Sequence, residues 1–195
     1  MRLLLKILKP FIVLCVHCAV IIVAHTKPIY YRICGKRVLQ SVARKGIDCR
    51  IHGPITIVCP ELLTLGDYVR IGWGCYFYCT GGLTVGHNTQ ISRHVTIYTG
   101  NHDTNGTAVP YDINIQNKPV RIGDSVWIGM NVCIVPGVTI GDGAVIGMGT
   151  VVSKDVPAGG VVVGSPQRIV KTRDMSKFQE HSVNGRLFGK LWPDA

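Results

Sequence analysis

The feature that most constrains this chain is an aliphatic residue that returns every six positions through its carboxyl-terminal half. This series consists of Ile122, Ile128, Ile134, Ile140, Ile146 and Val152. A period of six belongs neither to a helix nor to an isolated strand. It predicts short strands joined by corners, with the aliphatic side chain turned inward each time. Three such sides would close one coil of a parallel β-helix.

Shorter stretches upstream keep the same six-residue step. They comprise Ile51 and Ile57, then Leu65, Ile71 and Phe77, then Val85, Ile91 and Ile97. Residues 51–97 and 121–165 together suffice for about five coils. Gly or Asp just after the inward residue suits a corner, because Gly tolerates positive φ and Asp is expected to bond its own backbone. The coils are interrupted once, by a long loop over residues 98–120, which carries His102.

Composition agrees with an all-β fold. Of the 195 residues 47% are hydrophobic and 16% are charged, which excludes intrinsic disorder as the main state. The 23 glycines and only 7% aromatic residues favour a turn-rich chain over a helical bundle. The net charge of +10 comes mainly from residues 1–50, which hold ten Lys or Arg and one Asp. Because residues 51–170 are nearly neutral, a nucleic-acid-binding surface on the folded part is disfavoured.

The amino-terminal segment, residues 1–50, is predicted to be helical, basic and apolar. Its uncharged apolar run from Phe11 to Ala24 is short of the ~20 residues that span a bilayer. Lys and Arg on both sides of the run favour a helix lying on an anionic membrane surface, a peripheral contact made through residues 1–38. A secretory signal, and a helix that packs on its own domain or on a sister subunit, are the alternatives.

The eight cysteines have no repeated spacing, and the C-x-x-C at Cys15 and Cys18 has no second pair at zinc-site distance. They are therefore predicted to be reduced thiols of a cytoplasmic protein. A zinc enzyme of the γ-carbonic-anhydrase type would need three converging imidazoles, for which His87, His94 and His102 are the nearby set. His87 and His94 fall at corners or outward positions, so no metal site is expected.

Four sequence pieces carry a family resemblance. They are Tyr98-Thr-Gly-Asn-His102-Asp, Val126-Trp-Ile-Gly, Pro136-Gly-Val-Thr-Ile-Gly-Asp and Gly164-Ser-Pro-Gln-Arg168. Over residues 55–172 the chain resembles the hexapeptide-repeat acyltransferases, above all the sugar and polysaccharide O-acetyltransferases of the colanic-acid and galactoside or maltose types. The resemblance implies a left-handed parallel β-helix over residues 51–170, a carboxyl-terminal tail over 171–195, and a homotrimer with active sites between neighbouring prisms.

The resemblance also implies roles for individual residues. His102 matches the family's catalytic base, and acetyl-CoA would be the acetyl donor without a metal. The expected contacts to acetyl-CoA are Gly129, Met130, Met148, Ser153, Lys154, Arg168 and Lys171. The expected contacts to the acceptor are Thr80, Asn101, Asp103 and Trp127.

Direct acetyl transfer to a hydroxyl needs a base, an oxyanion donor and firm placement of both substrates. His102 suits the first role, because a free imidazole is largely neutral near neutral pH. Backbone N–H groups around Gly129 and Met130 are expected to serve the second. Thr80 stands where the galactoside and maltose branch carries Asn, so a glycan or polysaccharide acceptor is favoured over a small free sugar. Amino-sugar N-acetylation, serine O-acetylation and a non-enzymatic scaffold are the alternatives.

Overall fold

The computed structural model describes residues 2–104, 110–111 and 113–186; in the amino-terminal helix it describes side chains from residue 20 onward, except residues 21 and 25. A long helix, α1 (Arg2–Ser41), leads into a three-sided parallel solenoid of about six turns. A second helix, α2 (Met175–Val183), follows the solenoid. The predicted parallel β-helix is confirmed.

Three sheets form the sides of the prism, and their strands are parallel except for β19. The first sheet contains β1 (Arg44–Lys45), β4 (Leu63–Leu65), β7 (Leu83–Val85), β12 (Val120–Ile122) and β15 (Thr139–Ile140). The second sheet contains β2 (Arg50–His52), β5 (Arg70–Gly72), β8 (Gln90–Ile91), β13 (Trp127–Ile128), β16 (Val145–Ile146), β18 (Gly160–Val163) and β19 (Arg168–Thr172). The third sheet contains β3 (Thr56–Val58), β6 (Tyr76–Tyr78), β9 (Thr96–Tyr98), β14 (Cys133–Ile134) and β17 (Val151–Val152). A 3-10 turn, Pro60–Leu62, joins β3 to β4.

The six-residue series supplies the core. Ile128, Ile134 and Ile140 lie on successive sides, Ile146 stacks on Ile128 in the next coil, and all four are at most 2% exposed. The smaller residues four positions after the inward ones, such as Ala144 and Thr150, are also fully buried. Each coil therefore buries its apolar side against the coils above and below, which is how solenoids gain stability.

The corners differ from expectation in one respect. The carboxylates of Asp67, Asp124 and Asp142 were expected to hydrogen-bond to their own backbone. Each instead accepts a hydrogen bond from a backbone N–H of the preceding coil. The donors are Ile47, His87 and Asp124, at 2.8, 2.7 and 2.8 Å. The corner aspartates thus tie neighbouring coils together.

Helix α1 covers the amino-terminal end of the prism with its last three turns. Its inward-facing residues are Tyr31, Cys34, Gly35, Val38 and Leu39, a helical stripe that Val42 continues just beyond the helix. Gly35 lies so close to β2 that a Cβ there would stand 1.8 Å from the Ile51 carbonyl oxygen. The solenoid begins at β1, before the residue 51 expected from the repeat. Within the described part of the chain, no helix meets the length and apolarity needed to cross a membrane.

The carboxyl-terminal segment is ordered around the last coil. β19 runs antiparallel to β18, and the Asp174 carboxylate caps α2 by accepting the backbone N–H groups of Ser176 and Lys177, both at 3.1 Å. The expected tail over 171–195 therefore contains the end of β19 and α2. Residues 187–195 lie outside the described residues.

Candidate active site

The two ends of the interrupting loop pair with each other to form a hairpin that carries His102. β10 (Gly100–His102) pairs antiparallel with β11 (Ile115–Asn117), which places His102 opposite Ile115. The buried Thr99 hydroxyl anchors the foot of the hairpin, because it donates to the Tyr78 carbonyl and accepts from the Gly81 N–H, both at 2.8 Å. The hairpin leaves the prism at the corner between the third and first sheets.

The His102 side chain is exposed and ordered by its neighbours. Its ring stacks on Tyr111 with 4.0 Å between centroids and 24° between planes. Its backbone N–H donates to the Asn101 Oδ1 at 2.9 Å, and the Asp103 N–H donates to the Asn114 carbonyl at 3.1 Å. An imidazole held on one face by an aromatic ring, yet open to solvent, can meet the hydroxyl of an incoming substrate.

Thr80 lies beneath the same hairpin. A Cβ on Gly100 would stand 2.6 Å from the Thr80 hydroxyl, which fixes how closely the hairpin approaches the coil. Among the described residues the buried Thr80 Oγ1 has no hydrogen-bond partner. A buried hydroxyl without a hydrogen bond destabilises the folded state. The Thr80 hydroxyl at the foot of the hairpin is therefore available for a further hydrogen bond.

The phenol next to the hairpin stays protonated at neutral pH. Burial raises the pKa of Tyr98, and the neighbouring Tyr76 raises it further. The Tyr98 ring lies between those of Tyr76 and Tyr78, at 5.7 and 5.2 Å. This stack follows the third sheet up to the start of the His102 hairpin and presents a neutral aromatic surface.

The residues expected to hold the donor divide between two corners. Met130 and Met148 are exposed on adjacent coils at the corner between the second and third sheets. The Gly129 N–H donates to the Ile146 carbonyl at 2.8 Å, so it is used in the ladder and is not free to stabilise an oxyanion. Gly129 also packs closely against the next coil, because a Cβ there would stand 2.7 Å from the Met148 nitrogen.

Ser153 and Lys154 follow β17 at the same type of corner as His102. Their backbone N–H groups both donate to the Gln167 Oε1, at 2.7 and 3.0 Å, and the Gln167 amide donates back to the Lys154 carbonyl at 3.0 Å. Arg168 and Lys171 are exposed on β19. Gln167 was not singled out from the sequence, although its position directly before Arg168 in the quoted piece was the available signal.

Trp127 projects from the second sheet and is 58% exposed, as its place before the inward Ile128 predicts. It borders a cleft of about 320 Å³ between this sheet and α2. Gln90, Arg173 and Phe178 also line the cleft. The sequence could not pair these residues, because the cleft depends on where α2 packs.

A single chain does not gather the candidate residues in one place. His102 and Lys154 lie at the corners between the third and first sheets, Met130 and Met148 at another line of corners, and Trp127 on the outer face of the second sheet. The described residues include no group of three metal-ligating side chains. His94 packs edge-on against Trp73, with centroids 4.4 Å apart.

Comparison with known proteins places this architecture in a family. The family described as bacterial transferase hexapeptide (six repeats) matches residues 119–154. A protein of Escherichia coli K12 assigned as the colanic acid biosynthesis acetyltransferase WcaF is 35% identical over 131 residues, which cover 67% of this chain and 70% of that protein. The chain belongs to the hexapeptide-repeat acetyltransferases.

Solved structures of hexapeptide-repeat acetyltransferases agree with this assignment. A maltose O-acetyltransferase from Clostridium difficile 630 superposes with a TM-score of 0.61 at 32% identity, covering 71% of this chain and 74% of that one. A hexapeptide-repeat acetyltransferase from Vibrio cholerae, solved with acetyl coenzyme A, has a TM-score of 0.61 at 26% identity, covering 73% of this chain and 86% of that one. As a member of this family, the chain is an acetyltransferase.

Proposed function

We propose that this acetyltransferase transfers the acetyl group of acetyl-CoA to a sugar hydroxyl in a cell-surface polysaccharide or glycan precursor. The observation that carries the proposal is the exposed His102 imidazole on a hairpin anchored by Thr99. The names of the similar proteins, one assigned to colanic acid biosynthesis and one acting on maltose, support a sugar acceptor.

In the proposed reaction His102 is the general base. It takes the proton of the acceptor hydroxyl as the oxygen attacks the acetyl carbonyl carbon. The resulting tetrahedral oxyanion collapses, and the carbon–sulfur bond of the thioester breaks. The proton then passes from the imidazolium to the leaving thiolate, which gives free CoA and an acetyl ester. Stacking on Tyr111 holds the ring in place for both proton transfers.

The donor needs cations for its phosphates and a groove for its thin pantetheine arm. Lys154, Arg168 and Lys171 are proposed to supply the charge, since guanidinium groups pair with phosphate in a bidentate manner. Met130 and Met148 are proposed to line the arm. The complex of the Vibrio cholerae protein with acetyl coenzyme A supports this donor.

Because one chain leaves His102 and Met130 at different corners, we propose a homotrimer in which neighbouring prisms complete each site. Exposed residues of the acceptor set, Asn101 and Trp127, would then face the groove between protomers together with Asp103. Thr80 is proposed to contact the acceptor through its hydroxyl, which has no hydrogen-bond partner among the described residues.

We place the enzyme in the cytoplasm. Cys34, Cys59 and Cys133 are free thiols, as are the buried Cys49, Cys75 and Cys79. Free thiols are typical of a reducing compartment.

Substitution of His102 tests the proposal. His102→Ala is expected to lower kcat by ~10²–10⁴ with little change in affinity for CoA, because the lost interaction belongs to proton transfer. The measurement is thiol release from acetyl-CoA with a panel of polysaccharide and oligosaccharide acceptors. The matched control is His87→Ala, which removes another exposed imidazole at a different corner.

Two results would contradict the proposal. If His102→Ala retains half of the activity, His102 is not the general base. If the enzyme acetylates amino sugars or serine but no glycan hydroxyl, the proposed acceptor is wrong. Mixed trimers of His102→Ala and Arg168→Ala chains test the shared site. Activity well above that of either variant alone is expected if the two residues come from different protomers, whereas no recovery would place the site within one chain.

A further inference from the structure

Between residues 20 and 30, α1 exposes apolar side chains on more than one side of the helix. The contacts with the solenoid begin at Tyr31, and every side chain described between residues 20 and 30 is exposed. Val20, Ile22 and Val23 are 60, 61 and 59% exposed. Successive helical residues are about 100° apart, so these three side chains point in different directions. The described apolar side chains of this segment therefore do not lie on one face of the helix.

Such a surface needs an apolar partner. A helix that is hydrophobic all round is normally buried in protein or in lipid, and the prism covers none of residues 20–30 among the described side chains. The sequence before them continues apolar back to Phe11. The uncharged stretch from Pro10 to Thr26 would extend about 25 Å as a helix.

The charges beside this stretch all have one sign. Lys27, Arg32, Lys36 and Arg37 are exposed, the last three on the side of α1 turned away from the prism. Arg2, Lys6 and Lys9 precede the stretch, and the first acidic residue of the chain is Asp48. Cations on both sides of an apolar segment match the negative surface of an anionic bilayer.

We propose that this amino-terminal part of α1 binds the enzyme to an anionic lipid bilayer, with the apolar stretch inserted and the flanking cations among the headgroups. The sequence favoured a helix lying on the surface with one apolar face. Since Val20, Ile22 and Val23 point in different directions, insertion fits the described segment better than contact through a single apolar face. A bundle of these helices from several copies is less favoured, because it would bring cations together without any acidic residue to compensate them.

The Tyr31 end of the segment fixes the enzyme to this anchor. Tyr31 packs against Trp73 with centroids 5.9 Å apart, and the Lys27 ammonium lies 5.5 Å from the Tyr31 ring centre. Gly35 brings the helix against Ile51 of β2. The bilayer would therefore lie beyond the amino-terminal end of the prism, and the remaining coils would extend into the aqueous phase.

Flotation of the full-length protein with lipid vesicles tests the anchor. One vesicle preparation is phosphatidylcholine alone, and the other contains about one third phosphatidylglycerol. We expect binding to the anionic vesicles at least about tenfold tighter, with the difference shrinking as salt rises and screens the charges.

Two variants separate the contributions of charge and insertion. Replacing Lys27, Arg32, Lys36 and Arg37 by Gln should remove most of the preference for anionic lipid. Replacing Ile22 and Val23 by Gln should weaken binding to both preparations.

The matched controls change exposed residues elsewhere, and neither should alter binding. The first replaces four cations, Lys118, Arg121, Lys177 and Arg186, and the second replaces two apolar residues, Ile113 and Val183.

Three outcomes would overturn the proposal. One is the absence of vesicle binding, and another is equal binding to both preparations at every salt concentration. The third is that the Ile22 and Val23 variant changes the particle mass measured by light scattering while its vesicle binding stays at the wild-type level. That result would assign the apolar segment to contacts between copies of this chain.

Discussion

At the scale of single residues, an ion-pair cluster stabilises the first coil. The Asp48 carboxylate receives hydrogen bonds from Arg70 at 3.0 Å and Arg50 at 3.1 Å. Arg70 is only 5% exposed and also donates to the Asp48 carbonyl. Burial raises the pKa of Asp48, but the hydrogen bonds from the two arginines outweigh this effect and the net pKa is lowered. The charged form of Asp48 is therefore favoured by folding.

The sign of that shift gives a pH dependence. A lowered carboxyl pKa contributes stability above the pKa of about 3.9 in the unfolded chain, and the contribution is lost as the pH falls through the lower folded value. Asp48→Asn should lower the melting temperature at pH 7, with a deficit that shrinks below about pH 4. Thermal melts from pH 3 to 7 measure it, with the exposed Glu180→Gln as control. A deficit that stays constant with pH would show that Asp48 acts through packing rather than charge.

At the scale of elements, coil spacing depends on small residues at the corners. A Cβ at Gly129 would meet the backbone nitrogen of Met148 at 2.7 Å and the Ile146 carbonyl oxygen at 2.9 Å. Backbone atoms of a continuous ladder cannot move aside cheaply, so Gly129→Ala should destabilise the protein by ~1–3 kcal/mol. Chemical denaturation measures this change. Met130→Ala, one residue away with an exposed side chain, is the control and should stay near wild type. Equal stability of Gly129→Ala and wild type would mean that the two coils can move apart to accommodate the added Cβ without loss of stability.

The contrast between contacts that repeat in every coil and contacts that occur once explains what the sequence could predict about the elements. The inward series from Ile122 to Val152 predicted strands and coils, because each of its residues is buried against equivalent residues in the neighbouring coils. The loop that carries His102 was recognised because it interrupts this pattern, and the exposed position of Trp127 followed from the same pattern. The Gln167 clamp on Ser153 and Lys154 and the Trp127 cleft beside α2 did not, because they depend on where the chain folds back after the last coil. α1 continues through Pro28, as the helical prediction for residues 1–50 requires, although proline normally interrupts a helix interior.

At the scale of the whole molecule, α1 combines two functions that meet near Tyr31. Before that residue its described side chains are exposed, and after it a stripe packs on the open end of the solenoid. Solenoids need their terminal coils covered, because an end coil otherwise leaves core residues in water. Val42 is fully buried, and Val38 and Leu39 pack against the same core. The last three turns of α1 therefore belong to the folded prism, whereas no side chain described before Tyr31 is part of its core.

Two truncations test this division. A chain starting at residue 31 should keep the wild-type melting temperature and remain soluble, because it retains the cap, and all described side chains that it loses are exposed. A chain starting at residue 44 should expose the apolar end of the prism around Ile51 and Leu63, melt at a lower temperature and aggregate. Differential scanning calorimetry and light scattering distinguish the two. If both truncated chains melt alike, the end coil is stable without α1, and the close packing of Gly35 on β2 contributes nothing to the stability of the prism.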